Sequence, residues 1–180
     1  MQEEKKFIED LLNPKTQNQA FEILLKNFQK PLYNHIRNIV LNHDDTDDVL
    51  QNTFVKVFQN LNKFKGESKL FSWVYRIATN EALTFLNKKA KSSGVSSETL
   101  QNKTIDNLQS DVYFDGNEIQ IKLQRAIAIL PEKQQLVFKM KYFEELKYEE
   151  ISEILGTSVG ALKASYHIAV KKIEAFVTKN

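Results

Sequence analysis

The sequence predicts an all-α fold: two small helical domains joined by a flexible linker, the second ending in a helix-turn-helix. Three observations lead there. Apolar residues recur every three or four positions over long stretches, and no stretch alternates at period two for long enough to argue a sheet. Residues 90–117 interrupt that rhythm with serine, asparagine, threonine and aspartate. Near the C-terminus, two helical faces flank a glycine at the spacing of a tight turn.

Taken in order, the first periodic segment carries Phe21, Leu24, Leu25, Phe28, Leu32, Ile36 and Ile39, and Pro31 is expected to kink or interrupt it. A second helix is expected after the acidic cluster Asp44-Asp45-Thr46-Asp47-Asp48, its apolar stripe being Val49/Leu50, Thr53/Phe54, Val57/Phe58 and Leu61. A third runs from about Lys69 to Lys89. The sequence then reads as a tether, because its few apolar residues are scattered. Periodicity returns from Ile119 to Leu130, stops at Pro131, and resumes from Glu132 to about Phe143. The boundaries are 1–89, 90–117 and 118–180.

Bulk properties narrow the function classes. A 42% hydrophobic content with 12 Phe, 6 Tyr and 1 Trp can build real cores. The absence of cysteine excludes disulfides and thiolate metal sites. His35, His43 and His167 are too dispersed to suggest a metal site, and no cofactor or catalytic residue is expected. The longest apolar run is Ala126–Leu130, far short of a membrane span. The opening MQEEKKFIEDLL lacks an apolar signal core, so a soluble cytoplasmic protein without membrane insertion is expected. A net charge of +2 permits local basic faces but proves no nucleic-acid binding.

The sharpest signal is YEEISEILGTSVGALK, residues 148–163. Ile151, Ile154 and Leu155 give the first helix one buried face, Gly156 can take the positive φ that ends it, and Ser158 can cap the next helix. Val159, Leu162, Tyr166, Ala169 and Ile173 then share one face of a long second helix. Small residues at that helix's start allow close approach to a major groove. Its exposed face offers Lys163, Ala164, Ser165, His167, Lys171 and Lys172: lysines for phosphates, Ser165 and His167 for base edges.

The order of segments, DDVLQNTFVKVFQNLNKFKGESKLFSWVYRIATNEAL followed by LPEKQQLVFKMKYFEELKYEEISEILGTSVGALKASYHIAVKKI, strongly resembles a bacterial sigma factor of the compact extracytoplasmic-function group. The resemblance covers roughly residues 17–90 and 118–176. It implies a non-enzymatic factor that binds core RNA polymerase, through its beta-prime and beta subunits, and directs it to promoter DNA. The helix bearing Asp48, Gln51 and Asn52 would dock on the beta-prime clamp helices, those polar residues lying opposite Leu50, Phe54 and Phe58. Residues Lys63 to Lys89 would engage and open the minus-ten element, with Lys63, Lys65, Lys69 and Arg76 on phosphates. Phe64 and Asn80 match the motif for capture of an unstacked base, while Trp73 fits core packing better than DNA contact. The helix-turn-helix would read the minus-thirty-five element through Ser158, Lys163, Ala164, Ser165, His167 and Lys171. The linker would pass near the polymerase active site and RNA exit path. Relatives are commonly held inactive by an anti-sigma factor, so such a partner is expected.

The chain departs from the family pattern at Thr84 and Asn87, at Ser165, Ile168 and Val170 where many relatives carry arginines, and at Lys147 in place of a hydroxyl residue. Two rival readings exist. Asp44–Asp48 fits a D-D-x-x-D magnesium motif of helical enzymes, but no second metal motif accompanies it, and aspartates at a helix start already favour the helix dipole. A stand-alone helix-turn-helix regulator leaves the Asp47–Phe54 motif unused.

Overall fold

A computed structural model describes residues 2–114 and 116–179. Among them the chain forms nine α-helices and no strand. The helices are α1 (Gln2–Leu12), α2 (Gln17–Val40), α3 (His43–Asn60), α4 (Leu70–Ser92), α5 (Ser97–Asp106), α6 (Glu118–Ala128), α7 (Glu132–Tyr142), α8 (Tyr148–Leu155) and α9 (Val159–Lys179).

Helices α2, α3 and α4 pack on one another, with α1 against α2. Pro31 does not interrupt α2. Both Pro31 and Asn27, the residue whose carbonyl loses its helical donor, are exposed, so water can take that carbonyl. The helix ends at Leu41, buried in left-handed conformation at φ 63°. The next helix begins earlier than the sequence predicts. Asn42 is its cap, accepting from Asp45 N–H at 2.9 Å, which places the acidic cluster inside the first two turns of α3.

The flexible tether expected over 90–117 is a second departure. Helix α4 continues to Ser92, and α5 starts from a Ser96 cap that accepts from Thr99 N–H. Ile105 and Leu108 are buried with Leu41 and Ile121. Polar ties fix the segment further. Gln101 donates to Gln135 at 2.8 Å, Arg37 pairs with Asp111, and the Tyr113 ring stacks on His43 at 3.7 Å. Burial alone would raise the Asp111 carboxyl, but the Tyr113 N–H and the Arg37 guanidinium outweigh it and hold it below the ordinary aspartate range.

Helices α6, α7 and α9 enclose their own small core of Ala126, Ile127, Leu130, Phe138, Ala169 and Ile173. The principal core crosses between the halves: Leu136, Met140, Ile151, Ile154 and Leu162 join the same cluster as Leu24, Leu32, Val74 and Ala78. Helix α8 packs on α4, and α7 on α2.

Candidate nucleic-acid interface

On α3, burial of Thr46, Val49, Leu50, Thr53 and Val57 leaves Asp48, Gln51 and Asn52 exposed. The structure therefore brings these three together on one solvent face. Lys56 pairs with Glu81 and Lys89 with Asp45, tying α3 to α4 beside them. Among the described residues no group of three or more His, Cys, Asp or Glu could hold a metal ion.

The candidates after α3 divide. Lys63, Lys65 and Lys69 are exposed around the 3-10 turn Leu61–Lys63 and the loop that follows. Arg76 and Asn80 share an exposed face of α4, one turn apart. Phe64, expected to be free for base stacking, is not: it is 6% exposed, belongs to the main core, and lies 5.1 Å from the Trp73 ring. The physical reason is local. The 3-10 turn ends in a bond from Phe64 N–H to Leu61 carbonyl, which aims the ring inward while the flanking lysines stay in water.

One basic side chain and one backbone donor of this face are engaged from across the molecule, while the Lys69 ammonium stays in water. The Arg76 guanidinium donates to the Glu153 carbonyl, and the Lys69 N–H donates to the Glu153 carboxylate at 3.4 Å. Helix α8 thus covers part of the face that the sequence assigns to the minus-ten strand. Deeper in the same junction, His35 is fully buried, with Nδ1 3.0 Å from both Glu144 carboxylate oxygens and Nε2 2.8 Å from Thr79 Oγ1. The Thr79 hydroxyl donates its single proton to the Tyr75 carbonyl at 2.7 Å, so Nε2 must donate to Thr79. On the other side of the ring, Nδ1 faces the Glu144 carboxylate. Burial, then the Glu144 and Glu150 charges, push the adjacent Tyr75 hydroxyl well above the ordinary tyrosine range. No motif marks His35, Glu144 or Glu153, because their roles arise from contacts between distant segments.

The C-terminal turn follows its sequence signals closely. Gly156 takes φ 65° and donates back to the Ser152 carbonyl, and Ser158 Oγ accepts from Ala161 N–H at 3.3 Å. Lys147 cannot accept as a cap, so only the reciprocal half of a capping box is made: Glu150 accepts from Lys147 N–H at 2.9 Å. Leu162, Ala169 and Ile173 face inward on α9, which leaves Lys163, Ala164, His167 and Lys171 exposed together and Ser165 half-buried. The Lys163 ammonium sits 5.8 Å over the Tyr148 ring, which anchors its stem beside the turn.

With this geometry in view, comparison with known proteins decides the family. The sequence signature of sigma-70 region 2 matches residues 24–92 and that of sigma-70 region 4 matches residues 120–173. The chain belongs to the sigma-70 family. It is 29% identical over 163 residues to the ECF RNA polymerase sigma-E factor of Haemophilus influenzae, covering 86% of each chain. It is 28% identical over 156 residues to the ECF RNA polymerase sigma factor SigW of Bacillus subtilis, covering 82% of this chain and 83% of that one. In fold it resembles CnrH, solved in complex with the cytosolic domain of CnrY, at a TM-score of 0.69, 17% identity and 98% coverage of both chains. It likewise resembles the sigma factor RpoE of Bartonella quintana, solved with the anti-sigma factor NepR, at a TM-score of 0.65 and 17% identity over 89% of this chain and 98% of that one. This is a sigma factor of the extracytoplasmic-function group.

Proposed function

We propose that this sigma factor joins core RNA polymerase through the α3 face of Asp48, Gln51 and Asn52 and directs it to promoters with α4 and α9. The observation that carries the reading is the coexistence of three exposed surfaces in family order. A polar face on α3 makes no side-chain hydrogen bond or ion pair through Asp48, Gln51 or Asn52 among the described residues, a basic and amide-bearing face lies on α4, and α9 presents Lys163, Ala164, His167 and Lys171 at the end of a capped turn. Binding and positioning of other molecules, not chemistry by its own side chains, is the role this arrangement suits. We place it in the cytoplasm, where its polymerase works; no helix among the described residues is long and apolar enough to cross a membrane.

The packing of α8 on α4 bears on when that role can be exercised. Arg76 gives a guanidinium donor to the Glu153 carbonyl and the Lys69 backbone N–H is taken by the Glu153 carboxylate, so full use of this face by promoter DNA requires α8 to move off α4. A protein partner of the kind solved with CnrH and RpoE fits such a chain, because holding the halves together keeps α8 over part of the basic face. The test is assembly. Wild-type chain should co-purify with core polymerase at one to one, and Asp48→Lys with Gln51→Ala should weaken that assembly while leaving helicity intact. Wild-type assembly by the double variant removes α3 from the interface. Promoter binding by the free chain with no polymerase association at all would instead identify a stand-alone regulator.

A further inference from the structure

A cavity of about 400 Å³ lies where the two halves and α5 meet. That volume falls in the range of small-molecule sites, roughly 300–1,000 Å³. Val40 of α2, Leu83 and Leu86 of α4, and Leu130 and Leu136 beside and within α7 give it aliphatic walls. Its amides have partners: Gln135 donates to the Leu130 carbonyl at 2.9 Å and exchanges bonds with Gln101.

Lys139 lines the same cavity and is different. It is 3% exposed, and among the described residues its ammonium makes no hydrogen bond and no ion pair. Burial lowers its pKa to about 8 even though the nearby Glu144 charge, held by His35, pulls the other way. The ammonium is not among the atoms wholly sealed without a partner, so it keeps some accessible surface, and a cation so largely removed from water is stabilised by an anionic partner. The start of α7 adds to the same field. Pro131 and Glu132 line the cavity, and no side chain caps this 11-residue helix, so its first N–H groups leave partial positive charge there. Two carboxylates, Glu98 and Glu132, also line the cavity but are exposed to water. They disfavour a polyanion while leaving room for a single negative charge.

We propose that this junction cavity binds a small amphipathic carboxylate, its apolar body against Val40, Leu83, Leu86 and Leu136 and its carboxylate on Lys139. Nothing in polymerase or promoter binding calls for such a site, and the inference stands independently of them. Because α2, α4, α5 and α7 all supply walls, a bound molecule would also hold the halves together.

Octanoate is a suitable probe, titrated calorimetrically into the full chain at neutral pH, with 1-octanol and octylamine as matched-length controls. Octanoate should bind saturably at one per chain, and each control at least about tenfold more weakly, since only the carboxylate brings a charge opposite to that of the ammonium. Lys139→Met should abolish the preference for octanoate over octanol. Ala128→Phe, which places a ring in the cavity wall, should abolish binding of both. The proposal fails if octanoate shows no saturable binding up to about 5 mM, the weak end of small-ligand affinity. It fails equally if octanol matches octanoate, or if Ala128→Phe binds as wild type. Should Lys139→Met not fold, the ligand series and the Ala128 variant still decide the matter.

Discussion

Glu144 stands in the turn between α7 and α8 and reaches across to His35, so Glu144→Ala strips the acceptor from a side chain with no exposure to water. Hydrogen bonds to charged groups contribute about 1.5–3 kcal/mol, and a donor left unsatisfied in the interior loses that and more. Glu144 itself is 10% exposed at its side chain, so some water can reach the vacated place. A cost of about 2–3 kcal/mol follows, which lowers the ratio of closed to open molecules by about 30- to 150-fold. The chain has no cysteine, so a pair introduced at exposed Glu22 of α2 and Lys172 of α9 can carry dyes without background labelling. Energy transfer between them should fall or broaden in Glu144→Ala relative to the parent. The urea midpoint should fall as well, because the same contact bridges the main core. An unchanged distance distribution with an unchanged midpoint would refute the reasoning, since it would mean His35 and Glu144 do not hold the halves together.

The remaining predictions concern single side chains. Phe64→Ala should lower unfolding stability by about 3–5 kcal/mol in urea titration, the cost of emptying a buried aromatic site; a surface ring kept for base stacking would lose almost none. Lys163→Ala should weaken binding to promoter DNA carrying the upstream element by about 1–3 kcal/mol if the side chain reads a base; if it touches only phosphate, all sequences should weaken alike, with the salt slope reduced by about one. Lys139→Met should stabilise the chain at pH 7 by about 3 kcal/mol, because the depression from 10.5 to about 8 is a penalty on the folded state. That penalty is complete below about 8 and vanishes above 10.5, where the unfolded lysine has also given up its proton. The advantage of the methionine variant, read from urea unfolding at several pH values, should therefore shrink as pH rises through that window.

What could be read from the chain alone was whatever its physics made local. Gly156, the Ser158 cap and the offsets of Ile151, Ile154, Leu162 and Ile173 specify the helix-turn-helix within about 25 residues, and each does its expected job. The polar face of α3 was legible for the same reason, being what remains once the apolar stripe is assigned. The order in 97–110 was not. Ile105 and Leu108 look scattered because the faces that receive them, Leu41 and Ile121, lie far away in sequence. Phe64 misleads in the same manner: flanked by Lys63 and Lys65 it reads as a surface ring, yet a 3-10 turn rotates it onto Trp73. Charge pattern could not reveal that Glu153 would take Arg76, since either residue alone suits solvent.

The two kinds of contact across the junction imply an order of events. The aliphatic contacts and the His35–Glu144 pair are buried, and no ligand in water can substitute for them without first separating the halves. The contacts to Glu153 are different in kind. Arg76, Lys69 and Glu153 lie at the edge, and what Arg76 gains there is a neutral carbonyl oxygen. A phosphate offers the same guanidinium an oppositely charged acceptor and bidentate geometry, adding ion-pair attraction that the neutral carbonyl does not supply. On the proposed reading, DNA therefore wins the local exchange at α4 but cannot start it, because the acceptor it displaces is carried on a helix fixed by the core beneath. Whatever opens this molecule must act on the buried side of the junction. Polymerase docking on α3 is well placed to do so only if it strains α4, which Lys56–Glu81 and Lys89–Asp45 bind to α3 directly.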